Sequence, residues 1–275
     1  MAPDRYTMLD VYQLGAHDHP VLSRAVSEMP VGAERDFLAV GPLPVLDAKA
    51  YTAVFWSPKT PGMSTVHLFD VVDAIRDARV PIIGSFHSAL EDVWKRTILS
   101  AGQEVIVCPA RDIFNVNLPV LEIGANRAMV ITPRSFALRK PGTVMQGERD
   151  ELIAAIARQV FIAHAPPRSK LESLARRLLA RGKPVLVLNA PENANLLVLG
   201  AKGVSVEDVA AGAMTMRHTP SPGNERLKQP PGMPSANAEF ARGNPWRRID
   251  AAEQLRKYDV QPMGSSKRLG ESHGR

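Results

Sequence analysis

A single cysteine, Cys108, stands in the whole chain, so no intrachain disulfide can form and no cysteine-rich zinc site can be assembled. It lies within the apolar run 105–108 and reads as a buried core residue, which fits a reducing compartment. No apolar run approaches the length of a membrane-spanning helix, and the N-terminus, MAPDRYTMLDVYQL, lacks the basic and apolar regions of a secretion signal. The expectation is a soluble, cytoplasmic protein. Catalytic signatures are missing too: there is no G-x-S-x-G elbow, no H-E-x-x-H and no Walker A loop, and neither Ser57 nor Ser85 has an assignable base. His17 and His19, in HDHP, have no third ligand nearby and read as a surface turn. No enzyme activity, metal or cofactor is expected.

What is present suits a globular chain. It has 275 residues, 45% hydrophobic and 23% charged, enough for one α/β domain with appendages. The net charge of +6 favours polyanionic partners. It is unevenly spread, because residues 216–275 hold eleven Lys and Arg against six Asp and Glu, a net +5. That segment is rich in Pro, Gly, Asn and Ser and poor in large apolar residues, so it cannot bury enough surface to offset its ordering entropy. The expected organisation is a lead-in over 1–48, small and helical or irregular, a domain over 49–215, and a basic, disordered tail over 216–275, with a short helix at 249–258.

Within the domain, strand and helix alternate. Apolar runs at 51–56, 80–83, 104–108, 128–132, 160–163 and 185–188 read as strands. Helical spacing predicts helices over 64–78, from Ser88 to Gly102, over 148–158, and from Ser169 to Gly182, with short ones near 195–199 and 206–214. This order predicts a Rossmann-like, doubly wound parallel sheet with helices on both faces. Residues 160–188 form its most legible unit, a strand-helix-strand in which Leu171, Leu174, Ala175, Leu178 and Leu179 line one helix stripe. Ser169 and Glu172 have capping-box spacing, as do Ser88 and Glu91.

In such a sheet, ligands bind beyond the carboxyl ends of the strands. Three loops there lead toward helix starts: 57–62 with Ser57 and Lys59, 84–88 with Gly84, Ser85 and His87, and 166–170 with Arg168, Ser169 and Lys170. Free N–H groups, the helix dipole and nearby cations make each a candidate phosphate site; the alternative is a solvated helix start that binds nothing. His87 reads either as a ligand contact or as a satisfied imidazole. Trp56 and Phe86 flank the same edge and read as core packing, with base stacking as the alternative.

The order and spacing of these loops resemble the DprA/Smf family. AVFWSPKT (53–60) is similar to that family's strand into Gly-Ser-Arg-Lys, with Ser57 and Lys59 agreeing and Trp56 and Pro58 departing. IGSFHSALE (83–91) occupies the place of Ser-Gly-Leu-Ala-Arg-Gly-Ile-Asp. RDELIA (149–154) resembles Arg-Asn-Arg-Ile-Ile-Ala, keeping Arg149 and placing Glu151 where the family has its second arginine. APPRSKLESLA (165–175) follows Ala-x-x-Arg-Ser-Gly-x-x-x-Thr-Ala without a gap, and Asn195 stands at the family's asparagine in Gly-Cys-Asn. The resemblance implies a non-enzymatic single-stranded DNA-binding protein of DNA processing, transformation and recombination, a RecA-type recombinase as partner, and a homodimer. It makes Ser57, Lys59, Gly84, Ser85, His87, Arg149, Arg168, Ser169, Lys170 and Asn195 the single-stranded DNA and phosphate site. The other readings are a nucleotide-ligand sensor on the same fold and, least favoured, a phosphoribohydrolase-like enzyme, whose glycine-rich motif is missing from PPRSKLES.

Overall fold

The computed structural model describes residues 11–47, 50–57, 59, 62–110, 113, 127–138, 142–215 and 247–249. Seven strands run parallel: β3 (Thr52–Phe55), β4 (Ile82–Gly84), β5 (Val105–Val107), β6 (Ala128–Pro133), β7 (Gln159–Ile162), β8 (Val185–Leu188) and β9 (Lys202–Val204), in the spatial order β6-β5-β4-β3-β7-β8-β9. The expected α/β doubly wound sheet is therefore the observed one. The chain walks outward from β3 to β6 and then crosses back to β7 on the far side of β3. The strand order reverses there, which opens a crevice at the carboxyl ends of β3 and β7.

Alternation along the strands explains why helices cover both faces. Val160 and Ile162 enter one apolar core with Ala53, Phe55, Val185 and Val187, whereas Phe161 and Ala163 enter the other with Val54, Trp56, Leu186 and Leu188. The first core is closed by α1 (Pro20–Glu28), α5 (Thr143–Ile156) and α6 (Lys170–Ala180); the second by α3 (Gly62–Asp77), α4 (Ala89–Ser100) and α8 (Val206–Ala210). Between them in sequence lie two short helices, α2 (Pro44–Asp47) and α7 (Ala194–Val198). Trp94 is fully buried in the second core, 5.0 Å from Trp56 and 6.5 Å from Phe161 between ring centroids. Trp56 and Phe86 are both buried, so both are core residues.

The lead-in differs from expectation. Two of its apolar patches are strands, β1 (Val11–Gly15) and β2 (Asp36–Val40), which extend the sheet antiparallel beyond β6. Each is short, and its place in the sheet depends on residues far along the chain, so periodicity alone leaves them ambiguous. His19 is not part of a surface turn either: it is buried, and its Nδ1 accepts the Val21 N–H at 3.2 Å to cap α1. Strand β9 is a further difference, because KGV carries almost no apolar signal. Residues 216–246 and 250–275, with most of the expected tail and its short helix, lie outside the described residues. Within that segment, β10 (Arg247–Ile249) pairs antiparallel with β1.

Candidate nucleic-acid interface

The loops after β4, β3 and β7 leave three adjacent strands at the same edge, so the structure brings the three sequence-predicted stretches together. Ser57 and the segment after β7 are tied directly, the Ser57 N–H donating to the His164 carbonyl at 2.9 Å. Ser57 is buried, and its Oγ accepts the Lys59 N–H at 3.1 Å, turning the exposed Lys59 away from the strand. The rest of the 57–62 loop is only partly within the described residues.

After β4 the chain makes a tight turn. Gly84 is buried; a Cβ there would lie 3.0 Å from the Phe86 ring and 3.2 Å from Val54. Its missing side chain admits the Phe86 ring, so its use here is in packing. Phe86 itself sits at φ 48, the left-handed region that costs a non-glycine residue about 1 kcal/mol or more. That turn aims Ser85, His87 and Ser88 at one acceptor, Glu91. The buried Glu91 carboxylate accepts the N–H groups of His87 and Ser88, both at 2.8 Å, and the Ser85 hydroxyl at 3.0 Å, and lies 3.0 Å from His87 Nδ1. Ser88 Oγ completes the capping box by accepting the Glu91 N–H. Burial works against the charged form, but hydrogen bonding and charge attraction from His87, with the Ser88 and His87 N–H groups, outweigh it and hold the Glu91 carboxyl at about 2.

Ser85, His87 and Glu91 match a hydrolytic triad in residue type only. Ser85 Oγ is 2.8 Å from His87 Nδ1, the same ring nitrogen that faces Glu91, and the serine hydroxyl also contacts the carboxylate. A nucleophile relay needs serine and carboxylate on opposite ring nitrogens. Asp150 lies within electrostatic reach of His87 and Glu91. The Arg149 guanidinium is buried and forks onto Asp150 Oδ1 at 2.9 and 2.7 Å, so it is not an exposed contact. Burial pushes the Asp150 carboxyl above its ordinary value against the pull of Arg149, and pushes the buried Cys108 thiol up as well.

The start of α6 repeats the theme. Ser169 Oγ accepts the Glu172 N–H at 3.1 Å as the N-cap, but the reciprocal half of the expected box is displaced by one residue. The Ser169 N–H donates to the Pro166 carbonyl at 3.1 Å, and Glu172 Oε2 accepts the Arg168 N–H at 2.6 Å. Pro167 followed by Arg168 at φ 62 has the pattern of a type II turn, which consumes the Ser169 N–H. Asn195, on α7, donates to the Ala165 carbonyl at 3.1 Å and to Glu172 Oε1 at 3.0 Å, bracing this turn from behind. Its hydrogen bond, with that of the Arg168 N–H, holds the Glu172 carboxyl below the usual range.

Four of the ten predicted residues are exposed: Lys59, His87, Arg168 and Lys170. The others shape the loops. Sequence reasoning identifies Glu91 and Glu172 as caps and misses that their carboxylates also take up the Ser85 hydroxyl and the His87 and Arg168 N–H groups of these loops. It also misses the buried His164 and Asn193. Asn193 Nδ2 joins the Ala163 and Leu188 carbonyls across the exits of β7 and β8, and the bond to Ala163 spans 30 residues with no local signal.

The fold and this edge define a doubly wound, Rossmann-like domain whose basic loops gather at the strand-order reversal. Two solved structures are similar to it in fold. DNA processing protein A (DprA) from Streptococcus pneumoniae is similar over 76% of this chain and 75% of that protein, with 18% identity and a TM-score of 0.60. DprA from Helicobacter pylori, whose structure addresses that protein's unique single-stranded DNA binding mode, is similar over 67% of this chain and 89% of its own, with 17% identity and a TM-score of 0.55. No protein-family model and no curated relative matches the sequence. These likenesses show that the chain has the fold of DprA.

Proposed function

We propose that this chain is a non-enzymatic, DprA-like single-stranded DNA-binding protein, and that the strand crosses the carboxyl edge over the loops after β4, β3 and β7. The supporting observation is that Lys59, His87, Arg168 and Lys170 are exposed on three adjacent loops of a DprA-like fold. Because Glu91 and Glu172 already accept the N–H groups of His87, Ser88 and Arg168, side-chain charge carries the phosphate contacts in this reading. Ser57, Gly84, Ser85, Arg149, Ser169 and Asn195 act as positioning residues. In this reading the chain acts in DNA processing for transformation and recombination, as a homodimer handing DNA to a RecA-type recombinase.

Fluorescence anisotropy with oligo-dT at several salt concentrations tests the reading. The expected result is an affinity that falls steeply with salt. Joint replacement of Lys59, Arg168 and Lys170 by Ala should flatten the slope by about two units, at about 0.7 for each phosphate that is no longer neutralised. An affinity and slope unchanged by that triple replacement would remove the edge from the proposal. Added mononucleotides distinguish the sensor reading, in which they compete with oligo-dT.

A further inference from the structure

At the opposite edge of the sheet, where Arg158 leads into β7 and Lys183 and Pro184 lead into β8, a cavity of ≈ 470 Å³ lies between α1, α5 and α6. Its wall includes Arg24, Arg158, Arg181 and Lys183 but a single carboxylate, Glu28. Lys183 is 9% exposed and its Nζ sits 2.6 Å from both Glu28 Oε2 and the Ala157 carbonyl. Arg24 donates to the Ile156 carbonyl at 2.7 Å. Arg181 Nη1 lies 2.9 Å from Glu151 Oε2, and Glu151 is shared with Arg177. The Arg158 side chain is exposed and has no hydrogen-bond or ion-pair partner among the described residues. Counting Arg177 and Glu151 with the lining residues, five cations face two carboxylates, a net +3.

Such a concentration disfavours folding unless something offsets it. Burial and the neighbouring Arg158 hold Arg24 below its usual value, and burial depresses Lys183 against the pull of Glu28. Carboxylates stand within 4.0 Å of Arg24, Arg177, Arg181 and Lys183, but Glu28 and Glu151 serve all four and Arg158 has none among the described residues; the space these side chains line is large enough for a small molecule, within the usual range of about 300–1,000 Å³. A flat groove that followed a nucleic-acid strand would spread its cations, whereas these meet at one cavity and match contiguous negative charge.

We propose that this cavity binds a small ligand carrying two or more adjacent phosphate groups, of the pyrophosphate or nucleoside di- and triphosphate class, with Arg24 and Arg158 gripping the phosphates and Lys183 at the inner wall. The site is separate from the carboxyl edge and does not rest on the DNA-binding reading.

The test uses the full chain with inorganic pyrophosphate, ADP and inorganic phosphate as probes, read by calorimetry and by the rise in Tm that ligand binding to the folded state produces. Pyrophosphate or ADP should bind saturably and more tightly than single phosphate. Arg158→Glu should weaken that binding at least about tenfold, as expected on replacing a charged hydrogen-bond partner by a repelling one. Arg158 is exposed and unpaired among the described residues, so this variant should fold as the parent does, checked by circular dichroism, and should keep its oligo-dT affinity. Lys59→Ala with Lys170→Ala should leave pyrophosphate binding unchanged. The proposal is overturned by absence of saturable binding to any probe, by equal affinity for single phosphate, by an Arg158→Glu variant that binds as before, or by loss of pyrophosphate binding in the Lys59 and Lys170 variant. If Arg158→Glu lowers oligo-dT affinity while no free phosphate compound binds, the cavity is a nucleic-acid contact and the small-ligand assignment fails.

Discussion

The buried Glu91 carboxylate is the feature whose energetics the structure defines best. Its folded value of about 2 lies below the ordinary 4.5. A depressed carboxyl contributes stability above its unfolded value, and that stability is lost as pH falls through the folded one. The window therefore runs from about pH 4.5 down to about pH 2. At about 1.4 kcal/mol per unit, the full contribution is about 3 kcal/mol near neutrality, of which roughly 2 kcal/mol is gone by about pH 3. Glu91→Gln isolates it: the amide oxygen can still accept the His87 and Ser88 N–H groups, the amide nitrogen can donate to Ser85, and only the charge is removed. Urea unfolding of both proteins at about pH 6 and about pH 3 should show the stability gap between them shrinking by about 2 kcal/mol on acidification. Parallel loss of stability, with the gap unchanged, would mean that the network does not hold the charge and that the reasoning is wrong. The same variant takes a negative charge away from the proposed DNA path, so its oligo-dT affinity should rise by a few-fold at low salt, on the order of 1 kcal/mol for a nearby charge in a partly solvated setting.

Asn195→Ala should destabilise the fold by about 1–3 kcal/mol by leaving Glu172 Oε1 and the Ala165 carbonyl without their shared donor, measured by urea unfolding. It should also lower oligo-dT affinity without flattening the salt slope, because Asn195 braces the loop and contributes no charge. Phe161→Ala should cost about 3–5 kcal/mol in the same unfolding measurement, since this fully buried ring stacks on Trp94 in the second core and its removal leaves a cavity. Truncation after Thr215 retains the Met214 carbonyl that accepts Gln159 Nε2 but removes β10 and a net +5. It should weaken oligo-dT binding at low salt, seen by anisotropy, while the core remains folded by circular dichroism.

Much of the architecture is readable in the chain because the parallel strands are short apolar runs and the helices between them carry strong local signals. Ser88 with Glu91, Gly102 and Gly182 each mark a helix boundary where the structure has one, both glycines adopting positive φ. The antiparallel lead-in strands are harder, since β2 acquires its place by pairing with β6, its Phe37 opposite Pro133. The candidate site divides in the same way. Residue types and loop order are enough to bring Lys59, His87, Arg168 and Lys170 to one edge. Which of the loop donors remain free is not legible, because a capping glutamate looks the same in sequence whether its carboxylate closes the local box, as Glu91 does, or reaches past it to Arg168 and Asn195, as Glu172 does.

By itself, then, the sequence determined the alternating strand and helix order, the two-faced burial and the helix caps, all of which are signalled by patterns within a few residues. The tertiary structure alone decided that Glu151 answers Arg177 and Arg181 instead of facing the carboxyl edge, and that Arg24, Arg158 and Lys183 meet around one cavity. Those outcomes follow from long-range packing of α1, α5 and α6 on the sheet, where a charge's partner is chosen by which helix faces it and not by its neighbours in the chain.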